Sequence, residues 1–126
     1  METTKNKKIA SYVIQGVVAL MFLMGAINNL MQTEMAIIGA TTMGYQETSV
    51  FSMGVVLLAA TILYLFPKTI VLGAAFLTAW LGGAVATHLI NEDPMINFIF
   101  PIIFGILIWV SIWLRSEKLR DVFPIN

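Results

Sequence analysis

Residues 69–91 read TIVLGAAFLTAWLGGAVATHLIN, 23 positions without one Asp, Glu, Lys or Arg. At 1.5 Å rise per residue, such a stretch wound as an α-helix exceeds the roughly 20 residues needed to cross about 30 Å of hydrocarbon. Three other runs, residues 9–33, 48–67 and 94–114, are equally free of charge. Of the whole chain, 59% is hydrophobic and 11% charged, where a soluble domain carries about twice that fraction of charge. This composition argues against a soluble monomer, and residues 1–126 read as a single transmembrane domain with spans at about 9–30, 50–66, 69–90 and 95–114. The expected architecture is all-α: an integral membrane four-helix bundle, with a multi-pass chain in contact with the lipid bilayer.

Working outward from 69–91, Pro67-Lys68 on one side implies a tight antiparallel hairpin with the preceding span. On the other side, Asn91-Glu92-Asp93-Pro94 separates it from the last span, where Pro101 lies close enough to the start to be tolerated. Four spans gather Lys5, Lys7, Lys8, Lys68, Arg115, Lys118 and Arg120, every basic residue in the chain, at one end of the bundle. The loops at the other end, 31–49 and 91–94, hold only acidic charge: Glu34, Glu47, Glu92 and Asp93. By the positive-inside rule both termini are cytoplasmic, and the bacterial cytoplasmic membrane is the expected location. One span more or fewer would scatter the cations over both faces.

The loop 31–49 interleaves Met31, Met35, Ile37 and Ile38 with Gln32, Glu34 and Thr41. A short helix in the outer interface is expected there, bounded by Gly39 and Gly44, with Thr48-Ser49 capping the next span. A partner-binding loop is the sharper alternative. Trp109 and Trp113, four apart before Arg115, fit an interfacial anchor better than an aromatic ligand platform.

Within residues 69–91, Ala75, Ala79, Gly83 and Thr87 recur every fourth position, flanked by Thr78, Gly82 and Ala86. They form one stripe of small residues, the feature that lets membrane helices approach closely, and close helix packing is expected along it. Leu77, Leu81, Val85 and His88 fall on the opposite face, expected to point outward.

His88 is the only histidine. It invites a role as proton carrier, haem ligand or quinone contact, but a span-end histidine that is solvated or paired with Glu92 is the plainer expectation. Asn28 and Asn29 end the first span at the same level. With His88, Glu92 and Asp93 they could gather into a polar mouth that binds a ligand or partner, unless each simply meets water. Gln15 lies about 9 Å inside the basic end and calls for an interhelical hydrogen bond.

Several function classes are excluded. Zero net charge offers no field for nucleic acid, and the absence of cysteine removes dithiol chemistry and thiolate ligation. No metal-ligand spacing, P-loop or nucleophile-base pair is present, so no catalytic residue is assigned and no cofactor is bound by this chain alone. No charge lies inside a span, which argues against an ion-coupled pump; four-span multidrug transporters of similar size use a first-span carboxylate that is missing here.

The run from Gly73 to Leu89, with GGAVATHL at 82–89 its most specific part, is followed by Glu92-Asp93-Pro94, Pro101, Trp109 and Leu114-Arg115. Together with Gly44-Tyr45, Met53-Gly54-Val55 and Tyr64-Leu65-Phe66-Pro67-Lys68, this pattern resembles the DoxX-like membrane proteins over nearly the whole chain. The resemblance implies a small bacterial four-helix protein whose relatives serve as a subunit of a thiosulfate:quinone oxidoreductase or in oxidative-stress complexes. Members often carry a lysine near the end of the first span, where this chain has Asn28-Asn29, and a glutamate in the second, where it has Leu57. The family histidine matches His88. The leading expectation is a non-enzymatic subunit or scaffold, with other membrane subunits or further copies of itself as partners. The alternatives are a binding protein for a quinone or other apolar ligand, and an electron-handling subunit.

Overall fold

The computed structural model describes residues 4–123, all of it helix, turn and loop. Six helices follow in order: α1 Lys5–Leu30, α2 Glu34–Thr42, α3 Ser49–Leu65, α4 Ile70–Ile90, α5 Met95–Trp113 and α6 Glu117–Val122. Three of them, α1, α4 and α5, are long and apolar enough to cross a membrane; α3, with 17 residues, is shorter.

The four long helices form a ring in which α1 packs on α3, α3 on α4, α4 on α5 and α5 on α1, while α1 and α4 lie on a diagonal without meeting. Around the axis sit Val18, Ala19, Phe22 and Ala26 of α1, Leu57, Ala60 and Tyr64 of α3, Ala74, Leu77 and Leu81 of α4, and Ile108 and Ile112 of α5. In hydrocarbon these contacts gain little from leaving the solvent, because lipid is as apolar as leucine; dispersion in a dense interior and internal hydrogen bonds hold the ring.

Close approach is set by two glycines. A Cβ on Gly54 would lie 2.8 Å from the Leu30 backbone nitrogen, where α3 starts against the end of α1. A Cβ on Gly73 would overlap the backbone of Leu63 and Tyr64, because the α3–α4 hairpin turns within Phe66–Thr69. Thr69 Oγ1 donates to the Leu63 carbonyl at 2.7 Å and closes that turn.

The small-residue stripe does not pack as the sequence suggested. Ala75, Ala79, Gly82, Gly83 and Ala86 are exposed, and nothing lies within 4 Å of a Cβ built on Gly82 or Gly83. Thr87 is half-buried and bonds to Tyr45 instead. The core side of α4 is the face holding Leu77 and Leu81, which the sequence had pointed outward. Periodicity identifies a face but not its neighbour, and here the bulky face fills the ring.

Helix α2 is present, but Gly39 lies inside it rather than bounding it; Thr33 caps its start by accepting from the Ala36 N–H at 3.2 Å. Gly44, with φ of 100°, ends the segment, a left-handed backbone that suits glycine. Thr48 precedes α3 without a side-chain capping bond. Helix α6 was not foreseen: Ser116 caps it, Arg120 Nη1 donates to the carbonyls of Trp113 and Leu114 at 2.9 Å, and the chain folds back along α5.

Candidate functional site

Two polar groupings stand out, one at each end of the ring. At the acidic end, α4 finishes at Ile90, and the turn 91–94 brings Asp93 back so that its Oδ2 lies 2.7 Å from His88 Nδ1. Both side chains are about one fifth exposed. The expected partner Glu92 is exposed and has φ of 56°, which turns the backbone and leaves Asp93 facing the ring. The contact fixes the orientation of the imidazole at the end of α4, as a carboxylate partner does for histidines elsewhere.

Beside it is a small cavity of about 210 Å³, lined by Met43, Tyr45, Met53, Trp80, Thr87 and His88 among others. Its roof is tethered. Tyr45 donates to Thr87 Oγ1 at 2.6 Å, Thr87 donates to the Gly83 carbonyl at 2.8 Å, and Asn91 Nδ2 donates to the Met43 carbonyl at 3.0 Å. These bonds hold the segment after α2 on the end of α4.

Asn28 and Asn29 do not join this group. They end α1, diagonal to α4, and neither side chain hydrogen-bonds to His88, Glu92 or Asp93 among the described residues. Asn29 packs by its Cβ against Gly54 instead. The gathered mouth is therefore corrected to a His88–Asp93 pair alone, because the ring order separates α1 from α4.

At the basic end lies a buried network that the sequence reading did not assemble. Ser11 Oγ donates to the Ser111 carbonyl and accepts from Arg115 Nη1 at 2.8 Å. The Tyr64 hydroxyl donates across the diagonal to Ser111 Oγ at 2.5 Å, and Ser111 in turn donates to the Ile108 carbonyl at 2.7 Å. Gln15 Nε2 donates to the Tyr64 carbonyl at 3.0 Å, the interhelical bond expected of it. The Arg115 guanidinium also lies over the Tyr12 ring, 4.2 Å from its centroid. In a medium without water each of these groups would be costly unpaired, so the network ties α1, α3 and α5 together. A signal for it existed: Ser11 and Gln15, and Ser111 and Arg115, are each four apart and share a helix face.

The two indoles near the end of α5 are occupied rather than free. Trp109 Nε1 donates to Thr78 Oγ1, and Trp113 Nε1 to the Phe123 carbonyl, both at 2.8 Å. Among the described residues no group of three or more His, Cys, Asp or Glu is placed to hold a metal ion.

The pattern that defines the DoxX-like family matches residues 13–111, which takes in α2, α3 and α4 whole and most of α1 and α5. The chain belongs to the DoxX-like family. It matches no curated protein and no solved structure.

Proposed function

We infer that this DoxX-like chain is a small non-enzymatic subunit or scaffold of the bacterial cytoplasmic membrane, and that it docks another membrane helix on the outer face of α4. One observation carries this reading. Ala75, Ala79, Gly82 and Ala86 fall within an arc of about 60° at 100° per residue, directed away from the ring. The exposed positions of two other ring helices are bulky: Val13, Val17, Leu20 and Met24 on α1, and Ile102, Ile103 and Ile106 on α5. Lipid chains require no small residues, whereas a second helix gains contact area when backbones approach closely.

A second reading, binding of a quinone or other apolar ligand, is favoured by the oriented His88–Asp93 pair beside a cavity wide enough for a single ring.

Both are tested by mild-detergent purification from the native host, with co-purified proteins and extracted lipids and quinones measured by mass spectrometry. For the docking reading, Ala79→Leu and Ala86→Leu should each remove the co-purified membrane protein while the thermal midpoint stays at the wild-type value, since both positions are exposed on the outward face of α4. Retention of every partner by both variants would overturn it. For the ligand reading, His88→Ala should remove a quinone held beside the His88–Asp93 pair, and an unchanged quinone content would overturn that one.

A further inference from the structure

A groove of about 950 Å³ runs between α4 and α5 and is closed at the basic end by α6. Two glycines open it. A Cβ on Gly82 would meet nothing within 4 Å, and one on Gly105 would reach only Leu81 Cδ1, at 3.9 Å. Along α5 it extends from Pro101 to Leu114, about 20 Å at the helical rise, which is more than half of the roughly 30 Å of hydrocarbon.

What fills it must suit its walls. The polar side chains among them are the Thr78 hydroxyl and the Trp109 and Trp113 indoles. Thr78 donates to the Ala74 carbonyl and accepts from Trp109, and Trp113 donates to Phe123. The groove thus has no donor left to recognise a polar ring, and a flexible hydrocarbon chain matches it. Its end is different in character. It lies at the basic end of the ring, where all seven Lys and Arg fall against Glu117 and Asp121. On α6, Lys118 is exposed beside the groove-lining Leu119 and makes no hydrogen bond or ion pair among the described residues. Cations at a membrane surface attract anionic headgroups at about 1 kcal/mol each.

We propose that this groove binds one acyl chain of an anionic phospholipid, with the headgroup phosphate at the basic end beside Lys118. The groove shares Gly82 with the docking face, so the two readings are separated at Gly105, which lines the groove from α5 and is not part of that face.

The test is native mass spectrometry of the full chain in mild detergent, titrated with phosphatidylglycerol, with phosphatidylcholine of the same acyl composition, or with an isoprenoid quinone. One phosphatidylglycerol per chain should persist under conditions that strip phosphatidylcholine. Gly105→Phe, which fills the groove, should lower that occupancy about tenfold, and Lys118→Gln about fivefold, the equivalent of one surface cation. Equal retention of the two phospholipids, displacement by the quinone, or a lipid-free dimer would each overturn the assignment. So would full occupancy in a Gly105→Phe variant that melts with the wild type. Should Gly105→Phe not accumulate, phosphatidylglycerol with brominated chains supplies the second measurement. In a Trp80→Phe variant, which keeps Trp109 and Trp113 as the remaining indoles, it should quench fluorescence more than brominated phosphatidylcholine at equal mole fraction, and equal quenching would overturn the proposal.

Discussion

Glycine has two distinct uses in this chain, and only the surroundings tell them apart. Gly73 lies where the hairpin brings α4 against the backbone of Leu63 and Tyr64, so even one methyl group has nowhere to go. Gly82 has open space around its missing Cβ. Gly73→Ala should therefore cost about 3 kcal/mol or prevent accumulation, while Gly82→Ala should stay within about 0.5 kcal/mol of wild type. Thermal unfolding in detergent checks both, and equal midpoints would mean that the hairpin is looser than described. In the sequence, GG at 82–83 is the more conspicuous signal, and nothing in the residues around Gly73 marks it as the tighter position. His88 is similar: its position at the span end was legible, but its partner was not. Which of Glu92 and Asp93 reaches the imidazole depends on the positive φ at Glu92, a backbone choice that residue type does not announce.

At the scale of elements, the long apolar runs translated directly into α1, α3, α4 and α5, because uninterrupted hydrophobic length is a strong signal and charges mark its ends. Neighbour relations were harder. The expected polar mouth failed because α1 and α4 are diagonal, and the basic-end network was missed because its members are separated by up to 104 positions in sequence. Helix α6 was obscured for another reason. It is short and mixed in charge, and it is held on α5 by tertiary bonds from Trp113 and Arg120 rather than by its own propensity. Its attachment should thus be local. Trp113→Phe removes the 2.8 Å bond to the Phe123 carbonyl and should speed amide hydrogen exchange in Glu117–Val122, with exchange in α1, α3, α4 and the rest of α5 unchanged. Faster exchange throughout α5 would instead make α6 part of the cooperative ring.

For the molecule as a whole, charge and shape lead to one arrangement. The buried Ser11–Ser111–Arg115 bonds place the start of α1 beside the end of α5, and Tyr64, ending α3, joins them. The ring therefore puts both described chain ends and the α3–α4 turn at the basic end, with α2 and the turn 91–94 at the acidic end. If all four ring helices cross the bilayer, these two ends lie in different compartments, and the positive-inside rule predicts the basic one on the cytoplasmic side. Because the chain contains no cysteine, single introduced thiols report the answer without background. Thr4→Cys, Lys68→Cys and Ser116→Cys should be labelled by an impermeant thiol reagent in intact cells only after permeabilisation, whereas Thr42→Cys and Glu92→Cys should be labelled without it. Labelling of Lys68→Cys from the same side as Thr42→Cys would mean that the 17-residue α3 does not span, and would contradict the four-span membrane bundle.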